Sequence, residues 1–174
     1  DLRVVAYAMK DRIDVWADAA TRASLATRFR YCFETSGPSS YAPILNAHTI
    51  HPPEPIRVEG PTGTIEVTPI PQAHGDIMSL GFRFGGLAYS PDLSDVPEDS
   101  VPLLQGLNVW IVDALRFTAH PSHFHVKRAL EWIKRLRPKR AILTHMTTEL
   151  DYESLKRELP DNVEPAYDGM VIEF

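Results

Sequence analysis

The apolar positions fall into short runs, and their period changes along the chain. Ile13-Asp14-Val15-Trp16-Ala17 alternates and reads as a strand. Asp18 then has the chemistry of a helix N-cap. Ala23, Leu25, Ala26, Phe29 and Phe33 recur at near-helical spacing, which predicts a helix over 19–33 closed by the Ser/Gly/Pro loop at 36–40. Residues 1–9 form too short a run to choose between helix and strand. Residues 47–59 look extended and proline-broken, the pattern of an edge strand. Pro61-Thr62-Gly63 is a turn, and 64–70 reads as a strand. Leu80-Gly81-Phe82-Arg83-Phe84 alternates, Gly85-Gly86 is a hairpin signal, and 87–89 is the returning strand. A short helix is expected near 98–105.

Further on, the pattern shifts to strands alternating with helices. Val109-Trp110-Ile111-Val112-Asp113 and Ala141-Ile142-Leu143-Thr144-His145 are apolar runs ending in polar residues, as in buried parallel strands. Between them a helix is expected from Ser122, with Phe124, Ala129, Leu130, Trp132, Ile133 and Leu136 on its core face. A helix at 151–159 and two short strands within 163–174, broken at Asp168-Gly169, complete the chain. Hairpins followed by alternation predict an α/β fold (α+β by some schemes), a sandwich and not a plain doubly wound sheet. At 174 residues the expectation is one domain, 1–174.

Composition narrows the function classes. The chain is 44% apolar and 24% charged, which is globular. Its net charge of −5 argues against a general nucleic-acid-binding surface, although it leaves room for a local phosphate pocket. Cys32 is the single cysteine, so neither an intrachain disulfide nor a thiolate cluster is available, and a cytoplasmic setting is expected. No apolar run is long enough to span a bilayer, and no partner membrane is expected.

Three apolar runs deliver a metal-binding side chain where they stop. Gln72-Ala73-His74-Gly75 delivers His74, Tyr89-Ser90-Pro91-Asp92 delivers Asp92, and Leu143-Thr144-His145 delivers His145. Ligands gather outside the carboxyl ends of strands in open α/β sheets. Imidazole and carboxylate suit zinc, manganese or iron. Each residue also has a plainer reading: a loop histidine, a Pro-Asp turn, a cap histidine. Asp113 either orients a ligand or a catalytic histidine or caps the next turn. His120, His123 and His125 cluster in Ala119-His120-Pro121-Ser122-His123-Phe124-His125. If helical, His123 and His125 point apart, so at most one reaches the site. A histidine opening a helix is placed for a phosphate or for general-acid work.

Taken together, Gln-Ala-His74-Gly, Tyr-Ser-Pro-Asp92, Val-Asp113-Ala-Leu-Arg, His123, Leu-Thr-His145-Met and Ala-Tyr-Asp168-Gly resemble the metallo-β-lactamase fold hydrolases. Within them the pattern is most similar to the phosphoribosyl 1,2-cyclic phosphate phosphodiesterase branch. The resemblance implies an αββα sandwich with a two-metal site holding manganese or zinc. His74, Asp92 and His145 would be metal ligands, and His123 the catalytic residue assisting phosphodiester cleavage. The substrate implied is a small cyclic phosphate or nucleotide-like phosphodiester, attacked by water activated between two metals. Alternatives are a tRNA 3′-end processing endonuclease of the same fold and a non-catalytic nucleotide- or metal-binding module. The family's His-x-His-x-Asp-His cluster is not in the sequence, and the resemblance places it upstream of Asp1, so the domain is expected to be truncated at its N-terminus. Substrate contacts by Arg116, His120, His125 or Asp168 stay open, as does a homodimer.

Overall fold

The computed structural model describes residues 2–35 and 41–174; the loop expected at 36–40 lies outside the described residues. Contacts group the chain into two compact units, Asp1–Glu54 and Pro55–Phe174.

The first unit runs α1 (Leu2–Met9), β1 (Ile13–Ala17), α2 (Ala19–Arg28), α3 (Arg30–Phe33) and β2 (Leu45–Thr49). The undecided opening residues are thus helical. Asp18 caps α2 as its chemistry requires, accepting from the Thr21 backbone N–H at 2.9 Å. The helix expected over 19–33 is interrupted at Phe29, whose backbone leaves the helical region at φ −127° and ψ 32°. β1 and β2 pair in parallel, Ile13 opposite Leu45. A small core of Ala6, Ile44 and Leu45, with Ile13, Val15, Cys32 and Phe33 against it, holds this unit together.

The second unit contains β3 (Ile56–Gly60), β4 (Gly63–His74), β5 (Ile77–Phe84), β6 (Leu87–Ser90), β7 (Val109–Asp113), α4 (Val126–Leu136), β8 (Arg140–Thr144), α5 (Tyr152–Glu158) and β9 (Val163–Pro165). Its strands form one seven-stranded sheet in chain order, β3 to β9. A single strand over 47–59 does not form. Pro52 and Pro53 break the run, Leu45–Thr49 pairs with β1, and Ile56–Gly60 becomes the edge of the large sheet. The short helix near 98–105 is a 3₁₀ helix, Glu98–Leu104. The expected second strand of the C-terminal pair is absent; 166–174 has turn or irregular backbone.

Pairing is antiparallel from β3 to β6 and parallel from β6 to β9. Two reversals bring β4 back to the direction of β6, so β4, β6, β7 and β8 all run the same way. Their carboxyl ends therefore share one edge, which is where His74, Asp92, Asp113 and His145 are. Burial on both faces explains why this central strand is apolar from Val109 to Val112. Trp110 and Val112 face the larger core with Ile70, Leu93, Leu104, Phe124, Ala129 and Trp132. Val109 turns the other way, into a smaller cluster with Leu87 and Ile142, backed by Phe84, Ile111, Met170 and Ile172. Fully buried side chains such as Trp110 and Leu143 each contribute about 1.5–3 kcal/mol. The Trp110 indole N–H is satisfied by the Ser90 hydroxyl at 2.9 Å. Among the described residues, no helix is long and apolar enough to cross a membrane.

Candidate metal centre

The shared edge needs one more piece, the loop between β7 and α4. Sequence spacing predicts a helix opening at Ser122, but α4 starts at Val126 with His125 at its N-cap. The reason is Phe124. Its backbone N–H donates to the Leu93 carbonyl at 2.6 Å, its own carbonyl accepts from Leu115 N–H at 2.9 Å, and its ring is fully buried. Those cross-links keep the segment out of the helix and deliver His120 and His123 to the site from a loop.

His123 is the hub. Its Nδ1 lies 2.7 Å from Asp113 Oδ2. Its ring stacks on His145 at 4.9 Å between centroids, meets His74 edge-on at 4.8 Å, and lies 5.1 Å from His120. Asp113 has no solvent exposure, and Oδ2 also accepts from the Leu93 N–H at 3.2 Å. Burial pushes its carboxyl above the ordinary range, against the lowering effect of the bonds from His123 and Leu93. The other oxygen, Oδ1, is buried with no partner among the described residues.

His145 has left-handed backbone, φ +60°, directly after β8. Histidine tolerates that region better than most residues, but it remains uncommon outside functional turns. The turn brings Nε2 to 3.7 Å from Asp92 Oδ1. One ligand atom each from Asp92, His123 and His145 lie within 4.8 Å of one another. Asp92 and His145 offer a carboxylate oxygen and an imidazole nitrogen of the kind zinc or manganese takes, and the third group within reach is His123, whose Nδ1 is already engaged by Asp113. His74 reaches the cluster through His123, and is outside that threesome. Its Nδ1 donates to the Ser122 carbonyl at 2.6 Å. A carbonyl only accepts, so the neutral ring keeps its lone pair on Nε2, the arrangement that metal-ligating histidines use.

The other sequence candidates sit variously. His120 Nδ1 accepts from the Ser122 backbone N–H at 3.3 Å, and Ser122 Oγ lies at the same distance. Burial, then the Arg116 and His123 charges, hold His120 below its ordinary pKa. Arg116 spends its guanidinium on the Thr118 and Ala119 carbonyls, shaping the loop. His125 makes no side-chain cap bond. Asp168 is exposed in the turn after β9.

Two residues carried no sequence signal. Ser122 acts through its backbone N–H and carbonyl, which any residue type but proline supplies. Gln72, two residues before His74, is fully buried with both amide atoms unpartnered. Its amide fills the space over Gly81, where a Cβ would come within 2.3 Å of Oε1.

The family described as "Beta-lactamase superfamily domain" matches residues 1–146. The chain belongs to that family. A crystal structure described as a new diphosphatase from the PhnP family is 31% identical, with a TM-score of 0.81 over 94% of this chain and 59% of that one. YhfI from Bacillus subtilis, a metallo-β-lactamase fold protein, matches at 15% identity and TM-score 0.71, over 98% of this chain and 70% of its own. Human tRNase Z, short form, matches at 19% and 0.62, over 94% and 67%. The last two show the fold alone. A Porphyromonas gingivalis protein called octanoyltransferase is 26% identical over 98% of this chain, but over only 34% of its own length. The chain thus spans about three-fifths of the PhnP-family structure and a third of the Porphyromonas protein. The α/β metallo-β-lactamase fold expected from the motifs, with a PhnP-like likeness, is what the comparisons return.

Proposed function

We propose that the chain carries the site of a metal-dependent phosphodiesterase, a hydrolase acting on a small cyclic phosphate or nucleotide-like phosphodiester. The observation that carries this reading is the convergence of Asp92, His145 and His74 around a histidine that a buried carboxylate holds in place. The likeness to a PhnP-family diphosphatase supports phosphoryl over acyl chemistry.

His74, Asp92 and His145 would supply part of the ligand set of a centre for divalent ions, manganese or zinc. Such ions, when bound, act as Lewis acids on a phosphoryl oxygen and lower the pKa of water. His123 handles the proton. With Nδ1 bonded to Asp113, its Nε2 is the nitrogen that faces the chemistry, and the protonated ring donates to the departing oxygen as general acid. Asp113 fixes the ring's orientation.

The test is hydrolysis of bis(p-nitrophenyl) phosphate and of a five-membered cyclic ribose phosphate, alongside precursor tRNA, with manganese, with zinc and with chelator. The small diesters should turn over only when metal is present, and the tRNA should stay intact. Cleavage of tRNA alone would make the protein a processing endonuclease. Nucleotide binding without turnover of any substrate would make it a binding module.

A further inference from the structure

The backbone of one residue sorts two imidazoles. The Ser122 carbonyl accepts a hydrogen bond from His74 Nδ1, and the Ser122 N–H donates one to His120 Nδ1. A backbone carbonyl only accepts and a backbone N–H only donates, so the two rings are fixed in opposite tautomers. His74 keeps its lone pair on Nε2. His120, accepting at Nδ1, carries its hydrogen on Nε2. His123 is sorted like His74, because Asp113 takes its Nδ1–H. Around one centre there are thus rings presenting lone pairs and one ring, His120, presenting a neutral donor. Its Nε2 has no bond to another described residue.

We propose that His120 is a substrate-binding residue of this site, donating its Nε2–H to a non-bridging oxygen of an anionic phosphate ester. The inference rests on the phosphodiesterase reading for the ligand's identity, but the tautomer that underlies it does not. Its neighbours point the same way. The ring is half-buried and lies 5.1 Å from that of His123, at the same centre. His123 transfers a proton; His120 keeps its own.

The experiment has two readouts on the zinc-loaded full chain. The first is the nitrogen-15 spectrum of the histidine rings, titrated with inorganic phosphate. His120 should show a protonated Nε2 and a bare Nδ1, and phosphate should shift the Nε2 signal. A proton on Nδ1, or an Nε2 signal that phosphate leaves unmoved, overturns the proposal whether or not the protein is an enzyme. The second is steady-state kinetics on bis(p-nitrophenyl) phosphate. His120→Ala should lower kcat/KM about 10- to 100-fold, mainly through KM, at unchanged metal content, and His120→Gln, which keeps an N–H donor, should recover part of it. Loss confined to kcat, or no recovery with glutamine, also overturns it. A wild-type protein that hydrolyses nothing, yet shows the tautomer and the phosphate shift, refutes the proposed activity and leaves the binding role standing.

Discussion

The molecule contains two aspartate–histidine pairs of nearly the same length and very different character. In the first unit Asp14 Oδ1 lies 2.8 Å from His48 Nε2. In the second, Asp113 Oδ2 lies 2.7 Å from His123 Nδ1. The first pair is about half exposed on both sides, at 48% and 45%; the second is 0% and 14% exposed. Bonds from His48 and Asn46 hold the Asp14 carboxyl below its ordinary pKa, whereas burial pushes that of Asp113 up. Among the described residues, His48 stacks on Trp16 only, while His123 touches three other imidazoles. Distance does not make a site. Desolvation and convergence do, because they make each missing partner expensive and each proton's position definite.

Removing each histidine sharpens that contrast most. His123→Ala should cut phosphodiester turnover about 10²- to 10⁴-fold at unchanged metal content, the range for lost acid–base catalysis. His48→Ala should leave turnover as it was. Comparable losses in the two variants would erase the distinction.

Removing each aspartate comes next. Asp113→Ala strands the His123 and Leu93 donors in the interior and should cost about 3–5 kcal/mol in urea unfolding. Asp14→Ala, on an exposed pair, should shift the unfolding midpoint far less. A smaller effect of Gly75→Ala probes the support beneath the site. Gly75 has φ +60°, and a Cβ there would meet Ser122 Cβ at 3.1 Å. The backbone penalty is about 1–2 kcal/mol, and the displaced Ser122 peptide should weaken phosphodiester turnover at the same time. Unaltered kinetics would free the Ser122 peptide from any role in ordering His74.

The gentlest contrast is in pH. Asp14 has a depressed folded pKa, so its contribution to stability is present above the usual 3.8 and lost as pH falls through the folded value. Asp113 has a raised one, so its contribution is complete below 3.8 and lost as pH rises through the folded value. Asp14→Asn should therefore flatten the acid side of a stability–pH curve, and Asp113→Asn the side above 3.8. Slopes of one sign in both would contradict the burial argument.

Much of this was readable from the chain, and the unreadable parts share a cause. Strand ends at His74, Asp92, Asp113 and His145 show because apolar runs and their polar stops are local signals. The Asp18 cap is local too. By contrast, the break at Phe29, the helix that waits until Val126, and the split of 47–59 between two sheets depend on what each segment meets in three dimensions. Phe124 leaves the helix because Leu93 and Leu115 claim its backbone. Asp113 was recognisable as a possible partner for a catalytic histidine, but which histidine is decided by the loop. Ser122 was invisible, since its contribution is made by backbone atoms common to every residue but proline.

The most direct measurement is metal per chain, by elemental analysis of protein supplied with zinc or manganese, for wild type, His145→Ala and His48→Ala. The account predicts that His145→Ala loses metal while His48→Ala matches wild type. Full metal retention in His145→Ala, or equal loss in both variants, would contradict the assignment of the centre to the shared strand edge.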